Sequence, residues 1–130
     1  MASKDQKVVL LVDDEVAMIW LLTNYLQDFF EVVTKTDGLE AYQWLQQGNK
    51  PDIVISDINM PNMNGYELLE KLRASPEMVS VPVIMLSANE KTSEKIKSFQ
   101  LGANDYMVKP FNPAELRARL AVMMGMPHLL

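Results

Sequence analysis

Short apolar runs rich in β-branched residues recur along the chain at Val8–Val12, Glu31–Thr34, Ile53–Ile55, Val81–Leu86 and Tyr106–Val108. Three of them, the first, third and fourth, are almost wholly apolar without alternation, as in strands buried on both faces. Each is followed by a stretch with helical signals. From Glu15 to Asp28, Met18, Leu21, Leu22 and Tyr25 stand at i, i+3, i+4 and i+7 and predict a core-facing stripe. Leu39 to Gln46 is stopped by Gly48 and Pro51, and Tyr66 to Ala74 by Pro76. Lys91 to Leu101 is polar, with Ile96 and Phe99 as its apolar anchors and Gly102 as its stop. Pro113 to Met124 begins on a first-turn proline and carries Leu116, Leu120 and Met123. Strand then helix, five times over, predicts a parallel sheet with helices on both faces.

The chain has 130 residues, 48% of them hydrophobic, which suits one domain with one core. With no cysteine, disulfides, zinc–thiolate sites and thiol catalysis are excluded. Net charge is −5, so the domain is a poor binder of nucleic-acid phosphates by itself. The apolar run after Lys7 meets Asp13, Asp14 and Glu15 too soon for a signal peptide, and no run approaches the roughly 20 apolar residues that cross a bilayer. A soluble, cytoplasmic domain without membrane contact is expected, framed by an extension over residues 1–7 and a tail over 125–130.

In a parallel α/β sheet, ligands sit beyond the carboxyl ends of the strands. The first run ends in Asp13-Asp14, the third in Ser56-Asp57, the fourth in Ser87-Ala88 and the fifth in Lys109-Pro110. Three carboxylates, a hydroxyl and an ammonium thus converge on one edge. Carboxylates so crowded repel each other unless a cation joins them, and Mg2+ is the natural oxygen-bound partner. That set suits phosphoryl transfer, where positioning and charge neutralisation do most of the work. Taken singly, Asp13-Asp14 and Ser87 read as ordinary helix caps and Lys109-Pro110 as a turn. Asp57 is harder to dismiss, because a carboxylate closing an apolar strand needs a partner. Four polar ends separated by about 44, 30 and 22 residues do not arise readily from independent caps.

Four blocks, in order, resemble the receiver domain of bacterial two-component response regulators. They are Val12 to Glu15, Pro51 to Gly65, Pro82 to Ala88, and Gly102 to Phe111. The resemblance runs from about Val8 to Met123. It implies a flavodoxin-like (βα)5 three-layer sandwich with sheet order 2-1-3-4-5, a receiver domain over residues 8–124. It further implies that Asp57 accepts a phosphoryl group from a sensor kinase phosphohistidine, or from a histidine phosphotransfer protein. Asp13 and Asp14 would hold Mg2+ with Asp57 and the backbone carbonyl of Asn59. Lys109 would pair with the phosphoryl oxygens and Ser87 would turn its hydroxyl to them, with Tyr106 as the switch aromatic that moves inward. Asn59 and Asn89 stand where the family tunes phosphoryl lifetime. The domain would be a switch that catalyses only its own phosphorylation and dephosphorylation, not an enzyme acting on other substrates.

Two surfaces follow. The helix after the first strand starts apolar all round, so Ile19 and Trp20 are expected to stay exposed near Asp57 and dock the kinase. Lys95, Leu101, Asp105, Ala118 and Arg119 resemble the phosphorylation-dependent dimer face of regulators with winged-helix output domains, although Asn104 stands where an aspartate is common. Rival readings fit less well. A dehalogenase-like phosphatase wants a second aspartate two residues after its nucleophile, where Glu15 and Asn59 stand. A flavodoxin-type binder needs a phosphate-cradling loop where Asp13-Asp14-Glu15 would repel the ligand. A receiver-like module that works without phosphate is the remaining alternative.

Overall fold

Continuous apolar runs can satisfy their backbone groups and still exclude water only by pairing inside a covered sheet, and they do so here. In the computed structural model, which describes residues 6–130, the strands are β1 (Val8–Val12), β2 (Glu31–Lys35), β3 (Ile53–Asp57), β4 (Val83–Ser87) and β5 (Asp105–Val108). All pairs are parallel and the order is β2-β1-β3-β4-β5. The helices are α1 (Val16–Leu26), α2 (Gly38–Gln46), α3 (Gly65–Ala74), α4 (Thr92–Gln100) and α5 (Pro113–Met123). Residues 1–5 of the expected N-terminal extension lie outside the described residues. No helix among those described is long and apolar enough to cross a membrane.

Strand alternation divides the core in two. Leu10, Val12, Val54, Val83 and Met85 point to one face and pack with Ala41 and Leu45 of α2 and Leu68, Leu69 and Leu72 of α3. Val9, Leu11, Ile53, Ile55, Ile84 and Leu86 point to the other, against Leu22 and Leu26 of α1 and Leu116 and Leu120 of α5. Side chains of this size, all but fully buried, contribute about 1.5–3 kcal/mol each and make the sheet the rigid frame of the site.

The helix starts are secured locally. Asp37 caps α2 by accepting from Glu40 N–H, Asn64 and Glu67 form a capping box on α3, and Asn112 accepts from Ala114 N–H ahead of Pro113 on α5.

Four expectations are corrected. On α1 the buried residues are Leu22 and Leu26, whereas Leu21 is 46% exposed, so the core stripe is rotated away from it. Ile19 is not free surface; it is half-buried and packs against the same cluster as Leu22. On α4 the expected anchors Ile96 and Phe99 are both half-exposed, and the residue buried in their stead is Ser98. The end of the chain also differs from a tail: Pro127–Leu129 form a 3-10 turn, and Met126 and Leu129 cover the α1/α5 side of the core.

Candidate functional site

Parallel pairing brings the four strand ends to one edge, and backbone hydrogen bonds hold them there. Asp13 N–H continues the ladder by donating to Lys35 O at 3.1 Å, and Lys109 N–H donates to Ser87 O at 2.8 Å. Asp57 is the last residue of β3, in register with Leu86. Asp13, Asp14 and Asp57 each offer an oxygen within 4.8 Å of the others. Asp13 and Asp57 are buried and Asp14 is exposed, so the cluster opens to solvent on one side.

Lys109 is the cation that makes this tolerable. Its Nζ lies 2.8 Å from Asp13 Oδ2, 3.2 Å from Glu15 Oε1 and 3.7 Å from Asp57 Oδ1. Burial works against its charge, but the hydrogen bond to Asp13 and the fields of Asp13 and Asp57 outweigh it, so Lys109 titrates above the ordinary lysine range. Asp13 is locked further by accepting from Glu15 N–H at Oδ1, 2.9 Å.

Asp57 is the poorly served member. Its Oδ1 accepts from Ile58 N–H at 2.9 Å, and Oδ2 accepts no hydrogen bond among the described residues. Burial is the main cause that pushes its pKa up to about 6; Lys109 opposes the rise and Asp13 adds to it. A carboxylate half-relieved of its solvation, with one oxygen unengaged, is a better nucleophile and metal ligand than a hydrated one.

The other expected residues stand on the neighbouring strand ends, loops and helices. Ser87 is buried at the end of β4 and its Oγ accepts from Asn89 N–H at 3.0 Å. Tyr106 is already inside, 7% exposed, and its hydroxyl donates to Asn89 O at 2.7 Å. Asn89 also caps the approach to α4 by accepting from Lys91 N–H. Asn59 is exposed on the loop after β3. On α1, Trp20 is 67% exposed beside Val16 and Leu21, which are also exposed. On the far side, Asp105 and Arg119 do not wait for a partner: they form an ion pair within the chain at 2.7 Å, with Glu115 at 3.5 Å. Lys95, Leu101 and Ala118 are part-exposed around them.

Residue patterns missed three features. Glu15 joins Lys109, for which its place after Asp13-Asp14 was the available signal. Tyr66 on α3 donates to Glu94 on α4 while Lys97 sits 4.3 Å from its ring centre, contacts between helices that no local pattern announces. Burial and that hydrogen bond push the Tyr66 phenol up to about 12. Asp37, just after the second apolar run, is 7% exposed and accepts from Asn62 in the loop after β3.

The model of the response regulator receiver domain family matches residues 9–121. The alkaline phosphatase synthesis transcriptional regulatory protein PhoP of Bacillus subtilis is 36% identical over 119 residues, which cover 91% of this chain and 48% of PhoP. The chain therefore spans about half the length of that relative. The structure of Vibrio cholerae chemotaxis protein CheY4 is similar with a TM-score of 0.84 at 35% identity, over 90% of this chain and 98% of that one. The receiver domain of sensor histidine kinase PA1611 from Pseudomonas aeruginosa, solved with a magnesium ion coordinated in its active-site cleft, matches with a TM-score of 0.80 at 29% identity, over 92% and 98%. With its sheet order, its converging strand ends and its match from end to end of the core, the chain belongs to the response regulator receiver domain family of two-component signalling.

Proposed function

We propose that this domain is a phosphoryl-accepting switch in which Asp57 takes the phosphoryl group of a phosphohistidine on a sensor kinase or histidine phosphotransfer protein. The observation that carries the reading is the buried Asp57 carboxylate, with Asp13 and Asp14 oxygens within 4.8 Å and Lys109 Nζ at 3.7 Å. A carboxylate oxygen of Asp57 attacks phosphorus, the P–N bond breaks, and the departing imidazole keeps the bonding pair and is protonated from solvent. The product is an acyl phosphate.

The donor set fits a hard divalent cation, since three clustered carboxylates share one ammonium within reach. Asp13, Asp14, Asp57 and the backbone carbonyl of Asn59 would hold Mg2+; the related PA1611 receiver domain has a magnesium ion coordinated in its active-site cleft. When bound, Mg2+ supplies positive charge against the oxygens of the transferred group.

Phosphorylation adds about −1.5 to −2 charges at a site already crowded with carboxylates. Lys109, now 2.8 Å from Asp13, is close enough to shift towards the new oxygens, and Ser87 has a hydroxyl to turn to them. Because Ser87 Oγ accepts from Asn89 and Tyr106 donates to Asn89 O, movement of Ser87 reaches the face built by α4, β5 and α5. That face would carry the output, including a phosphorylation-dependent homodimer around Lys95, Leu101, Asp105, Ala118 and Arg119. Such dimerisation must first open the internal Asp105–Arg119 pair; sedimentation of a phosphorylated sample that stays monomeric at micromolar concentration refutes it. Asn59 and Asn89, beside the cleft, would set how long the acyl phosphate lasts. Trp20, exposed on α1, is the docking residue for the kinase, and Trp20→Ala is expected to slow transfer from the cognate donor. We place the domain in the cytoplasm, without direct nucleic-acid binding and without enzymatic activity beyond its own phosphorylation and dephosphorylation.

The decisive test is intact mass after incubation with Mg2+ and a small phosphodonor. One added phosphoryl group, absent in Asp57→Ala and with EDTA, supports the reading. No gain by folded protein overturns it in favour of a module that works without phosphate.

A further inference from the structure

The loop from Ile58 to Asn64 carries Asn59, whose backbone carbonyl is assigned above to the metal, yet Asn59 itself is exposed. Something else must hold the loop in shape. At its near end the support comes from the sheet: Ile58 N–H donates to Leu86 O at 3.2 Å, and Gly65 N–H closes the loop onto Ile58 O at 2.8 Å. A Cβ at Gly65 would lie 2.3 Å from Asp57 O, so the start of α3 is pressed directly onto the acceptor's own backbone.

At its far end the support comes from a different element, the start of α2. Gly38 N–H donates to Met63 O at 3.0 Å, an approach so close that a Cβ on Gly38 would lie 2.4 Å from that oxygen. Next to it, Asp37 uses its two oxygens for two tasks. Oδ1 accepts from Glu40 N–H at 2.8 Å and caps α2, while Oδ2 accepts from Asn62 Nδ2 at 2.7 Å. Asn62 stands at φ 66°, the left-handed region that asparagine and glycine enter most readily. The residue at the loop's turn is thus tied by its side chain to a buried carboxylate on another helix. An N-cap alone requires only one of those oxygens.

We infer that Asp37, acting through Asn62, is a positioning residue that holds the loop after β3 in the shape needed to present Asn59 to the divalent cation. This rests on the metal-assisted reading of the site. The tether crosses from α2 to the loop, so it acts on metal binding without touching Asp13, Asp14 or Asp57.

The test is calorimetric titration of Mg2+ into the folded chain, with no phosphodonor present. Asn62→Gly keeps a residue at home at that φ but deletes the tether. Asp37→Ser keeps a good N-cap but is too short to reach Asn62. Both are expected to bind Mg2+ roughly tenfold more weakly, the scale of losing a group that orients a ligand. Asp37→Asn, whose amide can cap α2 and still pair with an Asn62 amide turned end for end, is expected to bind close to wild type. If wild type binds Mg2+ and both tether variants match it, even with lowered melting temperatures, Asp37 is merely a cap and the inference fails alone. If wild type binds no Mg2+, the metal-assisted reading fails and the inference falls with it.

Discussion

Replacing Asp57 by asparagine should make the metal-free protein more stable, not less. Burial lifts the Asp57 pKa from 3.8 to about 6, so the native state holds that proton more tightly than the unfolded chain does. For a carboxyl raised in this way the penalty is absent below pH 3.8, grows between pH 3.8 and 6, and is fully present above 6. A difference of about two pK units at 1.36 kcal/mol each sets an upper bound near 3 kcal/mol at pH 8, falling to about half at pH 5. Lys109 at 3.7 Å loses an attractive partner in the variant, but that attraction is already contained in the net shift. Asparagine keeps an oxygen for the Ile58 N–H and carries no charge, so a gain of about 1–3 kcal/mol is expected. For a chain of this size that is a rise of roughly 4–12 °C in melting temperature. The assay is a pair of thermal melts at pH 8 in EDTA, repeated at pH 5 and again with Mg2+. Mg2+ at a hundred times its dissociation constant would stabilise wild type by about 2.7 kcal/mol and close most of the gap. A variant equal to or less stable than wild type at pH 8 in EDTA would refute the argument that Asp57 is held charged against its burial.

Other perturbations test other parts of the frame. Lys109→Met leaves the fully buried Asp13 without the ammonium 2.8 Å away, and urea titration at pH 8 should show a loss of about 3 kcal/mol; an unchanged midpoint would show that Asp13 does not depend on it. Leu22→Ala should cost about 2–5 kcal/mol while its neighbour Leu21→Ala costs under about 0.5, and similar losses for the two would contradict the orientation of α1. Gly65→Ala drives a methyl to 2.3 Å from Asp57 O, so it should both destabilise the fold by more than about 2 kcal/mol and suppress phosphorylation; a neutral result by melt and by intact mass would mean the loop yields easily.

Element order was legible because the forces that write it are local. The strands β1, β3 and β4 are covered on both faces, so Val8–Val12 and Ile53–Ile55 could be read as buried strands without a partner in view. Boundaries slipped where backbone pairing, which apolarity does not report, sets the ends of a strand: β3 runs on to include Asp57, and β4 starts only at Val83 although the apolar run starts at Val81. The helical stripes were less secure. α1 is apolar nearly all round its start, so periodicity placed Leu21 in the core when its exposure is 46%. α4 offered too few apolar residues to point in any direction, and its two anchors turned outward.

By itself the sequence determined the alternation of strands and helices, and with it the edge at which Asp13, Asp14, Asp57, Ser87 and Lys109 meet. Parallel strands all end on the same side, so the residue after each apolar run has only one place to go. What tertiary structure alone decided is who touches whom at that edge and around it. Lys109 rests on Asp13 in preference to Asp57, and Tyr106 lies inward with its hydroxyl on Asn89. Asp37 reaches across 25 positions of chain to Asn62. Those choices turn on differences of an ångström in helix rotation and loop path, and such distances are set by the packing of the whole core against the sheet, which no single stretch of residues contains.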